Sequence, residues 1–174
     1  MIIIVEGIDR VGKTTLCNKL SKELSIPIYK HNNEQFSYSR MDNDNETDKM
    51  LQLIDLYSIL DGDLIFDRFH ISDLVYGTML RNYNMQSASV NYKLIDDKLS
   101  NLCFRQEAIL ILVKPTDIEK SSYEHGTDLV EYDRLMQTAF DTSSIEMKHI
   151  CDYNSIDLVV EKLKTYYFYK ETNE

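Results

Sequence analysis

Two glycines, a lysine and a threonine in residues 7–14 have the spacing of a loop that binds phosphate. The stretch reads Gly-Ile-Asp-Arg-Val-Gly-Lys-Thr and fits the pattern GxxxxGK(S/T). Its glycines let backbone N–H groups converge on phosphate oxygens, and a helix that starts at Lys13 adds its positive N-terminus. In such loops the lysine neutralises the β- and γ-phosphates of a nucleotide, and the hydroxyl that follows binds Mg²⁺. The candidate nucleotide-binding residues of this loop are Gly7, Val11, Gly12, Lys13, Thr14 and Thr15.

A second pair of candidate residues, Asp67 and Arg68, follows the apolar run 64–66. If that run is a strand parallel to residues 2–5, both strands end at the edge of the sheet where ligands bind. Asp67 then points at the phosphate loop and can hold Mg²⁺ or its waters. The Arg68 guanidinium offers five donors in a fork that suits a phosphate group. The alternative is a surface ion pair at the end of a strand.

The phosphate loop alone fits kinases, GTPases and ATP-driven switches. GTPases read guanine with an Asn-Lys-x-Asp motif after a late strand. Here Lys114-Pro115-Thr116-Asp117 has the wrong spacing and no asparagine, and no DxxG follows the third predicted strand. The sequence therefore disfavours a GTPase-type switch.

Strand-like and helix-like segments alternate along the chain. Continuous apolar runs bounded by turns are typical of strands buried on both faces, and apolar residues three or four positions apart indicate helices. This alternation implies right-handed crossovers, so we predict an α/β protein with a mostly parallel sheet and helices on both faces. The predicted strands are 2–5, 27–30, 64–66, 108–113 and 147–151. The predicted helices are 13–24, 47–60, 71–81, 89–102, 129–140 and 156–167. Thr47 is predicted to cap the helix 47–60, which has Ile59 on its apolar face, and Leu94 is on the apolar face of the helix 89–102. Residues 31–48 are predicted to be mostly loop.

Length and composition predict one domain, residues 1–174, with one core. The net charge of −10 disfavours binding to nucleic acid or to an anionic membrane, because both need clustered Lys and Arg. Cys17, Cys103 and Cys151 are too far apart for a typical disulfide framework or zinc site, so we expect reduced thiols. No apolar stretch approaches the roughly 20 residues of a membrane span. We expect a cytoplasmic protein that binds small molecules.

Taken together, these segments resemble the thymidylate kinase family of nucleoside monophosphate kinases. EGIDRVGKTT, residues 6–15, is similar to the family's loop EGxDxxGK(S/T), and DRFHISDLVY, residues 67–76, is similar to its DR(Y/F) segment. SYEHG, residues 122–126, resembles the lid, and residues 152–163 resemble the adenine-side loop and last helix. The resemblance covers nearly the whole chain, although only the first two motifs are specific.

The resemblance implies the three-layer P-loop kinase fold, with five strands and a lid at about 120–129. It also implies an enzyme of nucleotide biosynthesis that transfers the γ-phosphoryl group of Mg·ATP to a deoxynucleoside monophosphate, most plausibly dTMP to give dTDP. Lys13 and Arg10 would contact the moving phosphoryl group, and Thr14 and Asp67 would hold Mg²⁺. Arg10 would replace a lid cation, since residues 121–129 contain no Arg or Lys.

Further roles are implied by the same resemblance. Asp9 would hold the acceptor's 3′-hydroxyl and Arg68 its 5′-phosphate. Asn154 would lie at the ATP side, and the family's pairing through helices implies a homodimer. Other candidate acceptor-binding residues are Arg40, Ser72, Tyr76 and Tyr123. Arg40 is as readily read as a solvated loop residue, Tyr123 as lid packing, and the nucleobase of the acceptor is left open.

Two other functions stay open at this stage. A deoxynucleoside kinase on the same scaffold would usually carry Glu-Arg in place of Asp67-Arg68, since a base must deprotonate a hydroxyl. A nucleotide-binding regulatory module without turnover would have no need for Arg10 beside the transferred group.

Overall fold

A computed structural model describes residues 1–30, 43–102, 107–117 and 129–173, with the side chains of 43–46, 171 and 173 left out. Within these residues five strands form one sheet in the order β2-β3-β1-β4-β5, with every neighbouring pair parallel. The strands are β1 (Ile2–Glu6), β2 (Ile28–Lys30), β3 (Leu64–Asp67), β4 (Ala108–Lys114) and β5 (Met147–Asp152).

Six helices of the described residues cover this sheet. They are α1 (Lys13–Leu24), α2 (Asn43–Ile59), α3 (His70–Leu80), α4 (Met85–Ser100), α5 (Leu129–Thr142) and α6 (Ile156–Asn173), the last preceded by a 3₁₀ turn at Tyr153–Ser155. Helix α1 packs against α6, whereas α3 contacts α4 and α5, and α4 contacts α2. The predicted α/β fold, a parallel five-stranded sheet between two helical layers, is confirmed.

The centre of the core is formed by β1 and β4. Residues 2–5 and 109–113 are fully buried, which explains why their sequences are continuous apolar runs without alternation. The ring of Phe66 in β3 stacks on Phe69, with centroids 4.0 Å apart. Glu6, the last residue of β1, is fully buried beside these apolar residues although its side chain is a carboxylate.

Several predicted helix ends and faces were wrong. Helix α2 begins at Asn43, inside the region predicted as loop, so Thr47 is a buried residue of the helix and not its cap. A run of acidic residues there suits a first helical turn, because the N-terminus of a helix carries partial positive charge. Ile59 is 82% exposed, since it lies five residues beyond the buried Ile54 and therefore on another side of the helix.

Helix α4 shows the same kind of error. It begins at Met85, where Asn84 accepts the N–H groups of Gln86 at 3.0 Å and Ser87 at 3.2 Å, and not at residue 89. Leu94 is 53% exposed, whereas its neighbour Ile95 is 2% exposed. Helix α6 extends to residue 173, beyond the predicted end at 167.

Some sequence-based expectations fall outside the described residues. These are Arg40, Tyr123, Cys103 and the lid up to residue 128. Cys17 and Cys151 are buried free thiols. None of the helices described is both long and apolar enough to span a bilayer.

The opposite exposure of nearby residues in α4 gives a test of the helix register. We expect Ile95→Ala to lower the free energy of unfolding by about 2–5 kcal/mol, because it leaves a cavity in the core. The control Lys93→Ala, at an exposed position of the same helix, should change it by less than about 0.5 kcal/mol. Urea unfolding followed by circular dichroism measures both, and equal losses would contradict the observed face of α4.

Candidate nucleotide-binding site

A cleft of about 420 Å³ lies at the carboxyl edge of the sheet. The loop after β1 forms one wall, and the residues that follow β3 and end β2 contribute to another. Residues at or just after the carboxyl ends of three parallel strands therefore meet in one place, as expected for ligand sites of open α/β sheets. The predicted residues that line the cleft are Asp9, Arg10, Gly12, Lys13, Thr14, Thr15, Asp67 and Arg68.

Glycine is required at both ends of the phosphate loop. Gly7 has φ +141° and Gly12 has φ +102°, values that residues with a Cβ rarely adopt. A Cβ on Gly7 would also collide with the carbonyl oxygen of Val113 in β4, so the loop starts in direct contact with the sheet. Between the glycines, Val11 is buried, and neither Val11 nor Gly7 is among the residues that line the cleft.

Lys13, the first residue of α1, is buried, and its Nζ donates a hydrogen bond to the carbonyl oxygen of Ile8 in the same loop. Burial lowers the pKa of Lys13 to about 8, against the opposing attraction of the Asp67 and Glu6 carboxylates. Lys13 is therefore a buried residue of the phosphate loop whose charged form is disfavoured by burial. A phosphate oxygen there would stabilise its protonated form.

Thr14 and Asp67 lie together at the base of the cleft, where Thr14 Oγ1 donates to Asp67 Oδ2 at 2.9 Å. Mg²⁺ takes oxygen ligands and is commonly held by one or two carboxylates together with substrate phosphates and water. A buried carboxylate and a hydroxyl beside a phosphate loop fit that requirement. The described residues hold no group of three or more metal-binding side chains, so a metal here would depend on ligands from the nucleotide.

Asp9 and Arg68 face each other across the cleft, and Arg68 Nη2 donates to Asp9 Oδ1. The Arg68 guanidinium also lies over the ring of Tyr76, with Cζ 4.9 Å from the ring centroid. Arg68 has φ +73°, a left-handed conformation that costs roughly 1–2 kcal/mol for a residue other than glycine. Such strain persists only where neighbouring contacts fix the backbone. Arg10 lies exposed in the same cleft.

The structure does not bring every predicted residue into this cleft. Ser72 is buried in the first turn of α3 and its hydroxyl donates to Glu6, so it turns away from the predicted acceptor position. Tyr76 is buried behind Arg68 and stacks on Tyr132, with centroids 5.5 Å apart. Asn154 is exposed in the 3₁₀ turn and is not among the residues that line the cleft.

Sequence reasoning missed two residues that line the cleft. Tyr153 lies so close to Gly12 that a Cβ on this glycine would be 2.8 Å from the tyrosine ring. Lys30 ends β2 and adds a cation. Both directly follow or end a strand at the carboxyl edge, and that position is the signal that could have identified them.

The chain has the fold of the P-loop nucleotide kinases. A crystal structure of the YorR protein from Bacillus subtilis in complex with phosphorylated GDP superposes with a TM-score of 0.75 at 22% identity, covering 100% of this chain and 99% of YorR. Thymidylate kinase from Ehrlichia chaffeensis gives a TM-score of 0.60 at 16% identity over 94% of this chain and 97% of the kinase. Deoxyadenosine kinase from M. mycoides gives 0.51 at 16% identity over 95% and 100%.

In sequence, the chain is similar to the SPbeta prophage-derived uncharacterized protein YorR of B. subtilis strain 168. The two are 28% identical over 130 residues, which is 75% of this chain and 72% of YorR. No protein family model matches the chain. These comparisons define the fold, and the residues in the cleft have to supply the function.

The depressed pKa of Lys13 predicts how nucleotide binding depends on pH. As pH rises through about 8 the free protein loses the lysine proton, so its attraction for phosphate falls. We expect the Kd for Mg·ADP to be nearly constant below about pH 7.5 and to rise by up to roughly tenfold per pH unit above pH 8. Isothermal titration calorimetry at a series of pH values measures this.

Lys13→Arg provides the control for this pH dependence. Its guanidinium stays protonated, so whatever affinity the variant retains should not fall above pH 8. A wild-type Kd that is flat to about pH 9.5 would contradict a lysine with a lowered pKa in the binding loop.

Proposed function

We propose that this protein is a nucleoside monophosphate kinase that transfers the γ-phosphoryl group of ATP to a deoxynucleoside monophosphate. One observation carries the proposal: a single cleft is lined by Lys13, Thr14 and Asp67, the last two joined by a hydrogen bond, and by the bonded pair of Asp9 and Arg68. The first group suits a magnesium-bound triphosphate. The second offers a cation for a second phosphate and a carboxylate for a sugar hydroxyl.

On the donor side, the phosphate loop would bind the ATP phosphates through its backbone N–H groups and Lys13. Arg10, exposed in the same cleft, would contact the transferred group. Thr14 and Asp67 would hold Mg²⁺, which neutralises charge that develops on the phosphate oxygens. Catalysis of this kind is mostly positioning and electrostatic stabilisation, for which converging cations are the main requirement.

On the acceptor side, Arg68 would exchange its bond to Asp9 for bonds to the 5′-phosphate of the monophosphate. Asp9 would then accept a hydrogen bond from the 3′-hydroxyl of the sugar. An acceptor phosphate is already an anionic nucleophile and needs no strong general base. Asp67 fits this, because it is buried and bound to Thr14 on the donor side of the cleft.

Thymidine monophosphate is the preferred acceptor in this proposal because of the resemblance of residues 6–15 and 67–76 to the thymidylate kinase family. The fold shared with thymidylate kinase from E. chaffeensis supports it. YorR was crystallised with phosphorylated GDP, and the M. mycoides deoxyadenosine kinase with dCMP and dCDP. A guanine monophosphate is therefore the competing acceptor, whereas dCMP is bound to the deoxyadenosine kinase as a product and supports the alternative reaction on a nucleoside.

We also propose that residues 1–174 work as one domain, in the cytoplasm and as a homodimer. Exposed apolar side chains on α2 and α4, which contact each other, support a subunit interface on that side of the molecule. These are Leu56 and Ile59 on α2 and Val90 and Leu94 on α4.

A substrate panel tests the proposed reaction. We expect ADP release in a coupled assay with Mg·ATP and dTMP, less with dUMP, dCMP, dGMP or GMP, and none with thymidine, deoxycytidine or deoxyadenosine. Turnover with a nucleoside alone would identify a deoxynucleoside kinase. Nucleotide binding without turnover on any acceptor would identify a regulatory module.

The role of Arg68 is tested by its replacement. We expect Arg68→Ala to lower kcat/KM for the monophosphate by roughly 10- to 100-fold, because charge-assisted hydrogen bonds are worth about 1.5–3 kcal/mol. The KM for ATP should change by less than about threefold. Arg134→Ala is the matched control, since Arg134 is an exposed arginine on α5 paired with Glu131 through two 2.7 Å bonds. An unchanged kcat/KM in Arg68→Ala would exclude Arg68 from acceptor binding.

A further inference from the structure

Glu6 is a buried carboxylate next to the phosphate loop that the proposed reaction does not use. It ends β1, directly precedes Gly7, and is fully buried. A carboxylate removed from water is unfavourable unless hydrogen bonds replace its hydration. Its partners therefore show why the charge is kept there.

The partners of Glu6 are the donors at the start of α3. Glu6 Oε1 accepts the backbone N–H groups of Phe69 at 2.9 Å, Ile71 at 3.1 Å and Ser72 at 3.2 Å. Glu6 Oε2 accepts the Ser72 hydroxyl. These N–H groups belong to the helix terminus, where no intrahelical acceptor exists. The residue at the N-cap position is Phe69, whose side chain cannot accept, so a carboxylate from β1 caps the helix in its place.

This arrangement fixes the backbone of Arg68 from both sides. The Arg68 N–H donates to the carbonyl oxygen of Val5 at 3.0 Å, and the next N–H along the chain, that of Phe69, donates to Glu6. Two consecutive anchors on β1 thus hold Arg68 in its left-handed conformation. In this conformation the guanidinium of Arg68 bonds to Asp9 and lies over the ring of Tyr76, which is a residue of α3.

We propose that Glu6 is a positioning residue that ties the acceptor-binding Arg68 to the strand from which the phosphate loop emerges. Since Gly7 follows Glu6 directly, one residue sets the distance between the donor loop and the arginine. Glu6 contacts no substrate and acts through the backbone of residues 68–72. The inference rests on the proposed function for the role of Arg68.

Glu6→Gln tests this with little change of side-chain volume. The amide keeps one acceptor but replaces the other by a donor and removes the charge at the helix terminus. Because the Glu6 carboxylate also raises the pKa of the nearby Lys13, calorimetry is done at about pH 6.5, where Lys13 stays protonated in both proteins. There we expect the Kd for dTMP to rise roughly tenfold, and the Kd for Mg·ADP to change by less than about threefold. The monophosphate that turns over fastest in the substrate panel is measured alongside dTMP.

Asn84→Ala is the matched control for loss of a helix cap. Asn84 caps α4 through two backbone N–H groups, at 3.0 Å and 3.2 Å, and lies outside the residues that line the cleft. It should lower thermal stability as Glu6→Gln does and leave both dissociation constants unchanged. If Glu6→Gln lowers stability and leaves the monophosphate Kd unchanged, Glu6 is only a cap and the inference fails.

A double-mutant cycle separates action through Arg68 from direct contact. In the Arg68→Ala background, Glu6→Gln should have almost no further effect on the monophosphate Kd, because the group that it positions is gone. Additive effects would overturn the inference. If Glu6→Gln does not fold, Ser72→Ala removes one of the four donors, with an expected increase of about threefold that should also vanish beside Arg68→Ala.

The outcomes distinguish this inference from the proposed function. If the wild-type protein binds monophosphates but transfers no phosphoryl group, and Glu6→Gln weakens that binding, the proposed kinase activity is refuted and the role of Glu6 is retained. If the wild-type protein is a kinase and Glu6→Gln leaves the monophosphate Kd unchanged, the proposed function holds and the inference about Glu6 fails. A protein that binds no monophosphate at all would overturn both.

Discussion

The parallel register of β1 with β3 is the constraint on which the whole cleft depends. Val5 pairs with Asp67 in that register, so the chain leaves β1 for the phosphate loop beside the point where β3 ends. Both strands are buried on both faces, so hydrophobic burial does not select the register, and the bonds of Arg68 to Val5 and of Phe69 to Glu6 fix it. The pairing of residues 2–5 with β3 thus places the start of the phosphate loop beside Asp67.

Around this point the protein buries three charged residues, Glu6, Lys13 and Asp67, in an otherwise apolar layer. Each binds partners of a different kind. Glu6 accepts backbone donors of α3, Asp67 accepts the Thr14 hydroxyl, and Lys13 donates to a carbonyl oxygen of its own loop. Burial lowers the pKa of Lys13, because the attraction of the Asp67 and Glu6 carboxylates offsets its desolvation only in part. In the proposed function, a phosphate group would become a further partner of Lys13.

Sequence reasoning identified this cleft because local patterns and one topological rule suffice for it. The glycines and lysine of residues 7–14 identify the loop, and the parallel-sheet rule places Asp67 beside it. The role of Glu6 could not be predicted in this way. Its partners lie 63–66 positions along the chain, and nothing in the pattern of residues 69–72 shows that α3 lacks a cap of its own. For the same reason Ser72 was assigned to the acceptor although it binds Glu6.

Helix faces failed for a different physical reason. Leu94 and Ile95 are both apolar, and only the packing of α4 against its neighbours decides which of them is buried. Hydrophobicity predicts that such a helix exists. It does not fix the rotation of the helix about its own axis to within the 100° that separates adjacent residues. The start of α2 was predicted wrongly because an acidic run suits a loop and the N-terminus of a helix equally.

In the proposed reaction, the ion pair between Asp9 and Arg68 would let a chain with net charge −10 accept a second anion in the cleft. Asp9 is 59% exposed and Arg68 18%, so their bond is of the kind worth at most about 1 kcal/mol. A phosphate can displace the Asp9 carboxylate at little cost, because it offers more acceptor oxygens and more charge to the same guanidinium. The backbone beneath Arg68 is held by buried bonds to Val5 and Glu6, and those bonds do not have to change. The structure thus pairs a weak, exposed contact that a ligand can replace with a buried support that keeps the arginine in position throughout.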